Sequence, residues 1–109
     1  MADRGLILEP AWAELHHERG MALKALNRPA EAESAYRQAI LYSPGFSHAW
    51  NNLGNLLGIQ GRLAEAERAQ RRALELAPDS PDARRNLAVT LMRMGKRKEA
   101  EKIMSNRVP

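Results

Sequence analysis

An all-α fold, made of helix hairpins repeated in series, is what this sequence predicts, and two observations predict it. The first is a period. Pro10, Pro44 and Pro78 stand 34 residues apart, and the same step links Ala32, Ala66 and Ala100. Glu31, Glu65 and Glu99 keep it, as do Glu33, Glu67 and Glu101, Leu23, Leu57 and Leu91, and the cations Arg28, Arg62 and Lys96. Columns in step like these mark a structural unit that cannot bury its apolar face alone and stacks on its neighbours. The second observation is composition. The chain is 44% hydrophobic but has only five aromatic residues in 109, so its core must come from Leu, Ala, Ile and Met. That set favours helices over sheets.

The elements follow in order. Residues 4–10, "RGLILEP", match the tails "QAILYSP" and "RALELAP", so 1–12 read as the end of a preceding second helix. Three copies then span 13–46, 47–80 and 81–109, the last cut short. In the second copy the first helix runs from about Ser47 to Gln60 and the second from about Leu63 to Leu76. Asn27, Gly61 and Gly95 stand where the first helices end, and all three tolerate the left-handed conformation wanted there. Pro29 and Pro81 suit first-turn positions, Ser80 suits the N-cap before Pro81, and Pro44 and Pro78 stop the second helices. Gly20 and Gly54 lie inside first helices, where each costs roughly 1 kcal/mol against Ala. Close helix approach explains them: Gly20, Gly54 and Ala88 are expected to face Ala32, Ala66 and Ala100, with Ala39 and Ala73. Gly58 has Lys24 and Met92 in its column and reads as a local feature of the groove side.

Several function classes find no support. No apolar run reaches the roughly 18 residues of a membrane span, and no basic segment precedes an apolar core as in a signal peptide. With no Cys there is neither a disulfide framework nor a thiolate metal site, which fits a cytoplasmic protein. There is no phosphate loop, no nucleophile elbow and no evident carboxylate pair, so neither an enzyme nor a cofactor is expected. Glu14, His17 and Glu18 share a helical face, with His48 in the next copy, but no His pair has helical spacing and no metal site is expected. Net charge is +4, and 13 of the 17 cations are Arg. Arg37, Arg68, Arg71, Arg72 and Lys102 fall on second helices and read as a solvated face. With so few aromatic residues to stack on bases, nucleic acid is not an expected partner.

The second copy carries Trp50, Leu53 and Gly54, then Ala66, Ala73 and Pro78, with Leu57 and Gln70 where large aromatics would complete a known pattern. That pattern, W-x₂-L-G-x₂-Y followed by A-x₃-F and Pro, is the tetratricopeptide repeat, which the chain resembles over nearly its whole length. The first copy supplies Gly20, Leu23, Ala32, Tyr36, Ala39 and Pro44, but has His16 and Arg19 in the Trp and Leu columns. Those two read as a polarised end of the array or as a contact surface. The third copy supplies Leu87, Ala88, Leu91, Ala100 and Met104.

The resemblance implies a right-handed superhelical solenoid of antiparallel hairpins, whose first helices line a concave groove for a peptide or helix of a partner protein. By matching columns, Glu14, His17, Glu18 and Met21 line it from the first copy. His48, Asn51, Asn52, Asn55 and Ile59 do so from the second, and Asp82, Arg85, Asn86, Val89 and Arg93 from the third. Asn52, Asn55 and Asn86 are the expected polar anchors, since an amide both donates and accepts along a peptide backbone. Co-chaperone members of the family grip a C-terminal carboxylate with Lys, Asn, Asn, Lys and Arg. The matching columns here hold His17, Met21, Asn52, Asp82 and Asn86, and Asp82 would repel a carboxylate, so that activity is not expected. Three other readings stay open: a substrate-recruiting section of a larger enzyme such as a glycosyltransferase, whose Asn columns these resemble, a scaffold that self-associates through its end faces near Ile103 and Met104, and, against the low aromatic count, nucleic-acid binding through the arginines of the second helices.

Overall fold

The computed structural model describes residues 10–105. They form six helices in three hairpins: α1 (Pro10–Ala25) with α2 (Pro29–Tyr42), α3 (Ser47–Ile59) with α4 (Leu63–Leu76), and α5 (Pro81–Arg93) with α6 (Arg97–Ser105). Among the described residues there is no strand. The expected preceding helix at 1–12 lies mostly outside the described residues, but Pro10 already belongs to α1. That helix starts ahead of the column set by Ser47 and Pro81, since proline is at home in a first turn.

The turns are built as the residues dictate. Asn27 (φ 61°), Gly61 (φ 80°) and Gly95 (φ 81°) all adopt the left-handed conformation between the helices of their hairpins. The chain then closes with a second bond: Arg28, Arg62 and Lys96 donate their backbone N–H to the carbonyls of Leu23, Leu57 and Leu91. Two repeated columns, the left-handed residue and the Leu, thus serve one helix stop. Ser80 caps α5, its hydroxyl accepting the Ala83 N–H at 3.1 Å.

Inside the hairpins the small residues sit where expected but meet different neighbours. Ala32, Ala39, Ala66, Ala73 and Ala100 are all buried. The atoms closest to Gly20 and Gly54, however, are not those alanine side chains. A Cβ on Gly20 would lie 2.7 Å from two ring carbons of Tyr36, and one on Gly54 would lie 2.5 Å from Gln70 Cγ and 3.3 Å from the Ala66 carbonyl oxygen. Each glycine therefore makes room for the large side chain one turn beyond the alanine. The physical reason is helical: i and i+4 share a face, so a groove cut by glycine is open to both, and the bulkier residue fills it.

Stacking of the hairpins gives two apolar clusters. Ala32, Tyr36, Leu53, Leu56, Leu57, Ala66 and Ala69 form one, flanked by Leu23, Ile40 and Trp50. Leu87, Ala88, Leu91 and Ala100 form the other, flanked by Leu74 and Ile103. Trp50 leans on the first cluster and anchors its indole by donating Nε1–H to the Pro44 carbonyl at 2.8 Å.

The repeated charges bind hairpin to hairpin. Arg62 reaches back to Glu33 at 2.7 Å, and Lys96 to Glu67 at 3.2 Å. Arg37 also pairs with Glu33, and Arg71 joins Glu67 to Glu99. The hydrogen bond from Arg62 holds the Glu33 carboxyl below the usual range. For Glu67, burial pushes the other way and is outweighed by Arg71 and Lys96. These pairs are partly exposed and screened by solvent, so they act more on register than on total stability.

Candidate functional site

Two depressions run along α1, α3 and α5. One of about 360 Å³ is lined by Met21, Lys24, Ala25, Tyr36 and Asn52. Its neighbour, about 270 Å³, is lined by Asn55, Ile59, Asn86, Val89 and Arg93, with Gly58, Gln70 and Thr90. Lys24 lines both, so they join into one groove. A smaller hollow of about 80 Å³ lies beside them, with His48, Asn51 and Asp82 in its wall. Of the residues expected from the sequence, Met21, Asn52, Asn55, Ile59, Asn86, Val89 and Arg93 come together in the joined groove. His48 and Asn51 belong to the small hollow instead. Arg85 lines none of the three; it pairs with Asp82 at 2.6 Å on an exposed stretch of α5.

The amides are already engaged. The Asn52 amide donates to His17 Nε2 at 2.7 Å, and Asn86 donates to Asn51 Oδ1 at 3.1 Å. His17 and Asn51 share one column, Asn52 and Asn86 the next, so both bonds are one repeating link between successive first helices. A parallel link ties Arg93 to the Gly58 carbonyl at 2.8 Å. Hence the Asn column braces the array from within, and each amide offers a partner only its remaining donor or acceptor.

His17 also packs on Phe46 (ring centroids 4.9 Å apart) and Tyr36 (5.9 Å). Burial, helped by nearby His48 and opposed by Glu18 and Glu14, lowers its pKa below the ordinary histidine value. A neutral ring is the form that accepts the Asn52 amide proton, so packing and hydrogen bonding agree. His16 stacks on Tyr42 (5.5 Å, 10° between planes), and Tyr42 on Trp12. In the columns of buried Leu53 and Leu87 the first hairpin has exposed Arg19. The outer side of α1 is therefore not a copy of the faces that join hairpins.

Gln70 is the groove's unusual floor residue. It is only 2% exposed and donates to Asn55 Oδ1 at 3.2 Å, while its own carbonyl oxygen has no partner. A buried amide oxygen left so costs about 1–3 kcal/mol. Lys24, Gln70 and Thr90 were absent from the expected lining. Gln70 could have been found, since it replaces the large aromatic of the pattern, and Lys24 shares the column of Gly58. Thr90 carried no signal: it stands where the second hairpin has buried Leu56.

Elsewhere the convex cations are mostly paired, Arg37 with Glu33, Arg71 with Glu67 and Arg72 with Glu75. Among the described residues no three of His, Cys, Asp and Glu gather so as to hold a metal ion, and no helix is long and apolar enough to cross a membrane.

Stacked helix hairpins around a groove define a repeat protein of the solenoid class. Two family models, both described as tetratricopeptide repeat, match residues 17–81 and 59–107, and the chain belongs to that family. No curated protein matches its sequence. Among solved structures it is similar to MamA, with a TM-score of 0.83 and 22% identity over 92% of this chain and 58% of that one. The second TPR of Spaghetti (RPAP3), bound to the HSP90 peptide SRMEEVD, gives 0.84 and 18% over 88% and 89%. The CopN-Scc3 complex gives 0.79 and 19% over 85% and 55%. At these identities the likeness is one of fold, and the chain spans little more than half of the MamA chain.

Proposed function

We propose that this chain is a protein-interaction module that holds an extended segment or a helix of a partner in the groove of α1, α3 and α5. One observation carries the reading. Met21, Ile59 and Val89 are 48%, 68% and 52% exposed, along a groove whose other lining includes the half-buried amides of Asn52, Asn55 and Asn86. Aliphatic side chains left in water beside polar groups of fixed geometry suit a ligand with both an apolar side and a backbone to bind. Two of the similar structures are complexes, one with a peptide and one between proteins, which supports the reading for this fold.

The test starts with partners retained from cell lysate on immobilised chain, identified by mass spectrometry. Hydrogen exchange on each purified complex then maps the contact. Protection of α1, α3 and α5, abolished by Ile59→Glu with Val89→Glu, is the expected result. Protection confined to α2, α4 and α6 would place the interface on the convex side and end this proposal.

A further inference from the structure

We propose that the centre of this groove is a seat for an acidic side chain, so that the segment it binds carries Asp or Glu flanked by aliphatic residues. The inference rests on the groove reading above and names the chemistry of its partner. The depression between α3 and α5 is walled by two cations, Lys24 and Arg93, and by the neutral amides and hydroxyl of Asn55, Gln70, Asn86 and Thr90. No carboxylate lines it. Arg28, Arg37, Arg62, Arg71, Arg72, Arg85, Arg97 and Lys96 pair with acids; Lys24 and Arg93, like Arg19, Arg68, Arg84, Lys98 and Lys102, form no ion pair with any described residue, and these two line one depression together.

Arg93 is held in place without being neutralised. Its Nη1 donates to the Gly58 carbonyl at 2.8 Å, which fixes the guanidinium against α3. One N–H is used and the rest of the fork remains for a carboxylate. Both cations stand in the last turns of their helices, where they also complement the dipole. Dipole complementation explains cations at helix ends in general. It does not explain why both cations border the same depression with no acid among its lining residues.

The floor supplies a second, independent sign. Gln70 stands in the column of Tyr36 and Met104, and its carbonyl oxygen is buried without a donor. The tyrosine of the first hairpin fills the equivalent space over Gly20. An amide in its stead puts an unpaired acceptor in the lining of the same depression, suited to a backbone N–H of the same ligand after a small side-chain shift. Exposed Ile59 and Val89 flank the seat and would take the neighbouring aliphatic residues.

The experiment is selection of displayed random peptides on the wild-type chain and on Lys24→Glu with Arg93→Glu, both sites being exposed and the fold of the variant checked by circular dichroism. Wild type should enrich peptides with Asp or Glu at one fixed position between aliphatic residues. Replacing that acid by Asn or Gln in the synthetic peptide should weaken binding at least about tenfold. The charge-reversed chain should lose those peptides and select Lys or Arg at the same position. Peptides recovered without an acidic position, or acidic peptides held equally by the reversed chain, would overturn the seat while leaving the groove reading standing. No recoverable peptide on wild type would overturn both. Gln70→Leu separates the floor: it should raise thermal stability and weaken the selected peptides, and unchanged binding would remove Gln70 from the seat.

Discussion

Gly20→Ala asks whether shape or helix propensity governs the first hairpin. In an open helix the change would stabilise by about 1 kcal/mol, because glycine is that much poorer than alanine. Here the added methyl would sit 2.7 Å from Cδ1 and Cε1 of Tyr36, a flat ring that is 1% exposed and packed among Ala32, Leu53 and Leu57. No flexible end is available to swing aside, and overpacking of this kind costs about 1–3 kcal/mol. The clash offsets the propensity gain, for a net loss of about 0–2 kcal/mol from those two ranges. The decisive assay is a double-mutant cycle with Tyr36→Ala, read by urea unfolding in far-UV circular dichroism. Tyr36→Ala alone should cost about 3–5 kcal/mol, as large aromatic truncations do. In that background Gly20→Ala should reverse sign and stabilise by about 1 kcal/mol. If it stabilises the wild-type chain as well, or has the same effect in both backgrounds, the ring is not what requires a glycine there.

The turns allow a cleaner backbone test. A Cβ on Gly61 or Gly95 would touch nothing within 4 Å, yet both have left-handed φ, so alanine at either should cost about 1–2 kcal/mol in urea unfolding with no packing contribution. Ser80→Ala should lose about 1 kcal/mol, with faster hydrogen exchange confined to the first turn of α5. Acid should destabilise the chain in two stages. His17 and both Glu33 and Glu67 have folded pKa values below their unfolded ones, so each contributes stability above the unfolded value and loses it as pH falls through the folded one. The first loss, below the ordinary histidine value of 6.5, should shrink in His17→Gln, and the second, below the carboxylate value of 4.5, in Glu33→Gln; unaltered melting profiles in these variants would refute the assignment.

Much of this protein was legible because a repeat writes each constraint several times. The left-handed turn residues at 27, 61 and 95, the prolines and the serine cap act within a few residues of themselves, so local sequence contains their whole reason. The period likewise determined that hairpins stack and that their first helices share a face. What only the tertiary structure decided was which side chains meet across that stacking. The Asn column looked like a row of free anchors, but whether an amide faces a ligand or its neighbour depends on the offset between adjacent helices, which puts Asn52 on His17 and Asn86 on Asn51. The Arg28, Arg62 and Lys96 column gave no hint that two of its members clamp the glutamates of the preceding hairpin. Nor could composition show that two of the cations, Lys24 and Arg93, stand without acids around one depression floored by a buried amide. Helix ends and turns are settled by short-range sterics, whereas charge partners are settled by distances of a few ångströms between residues a full repeat apart.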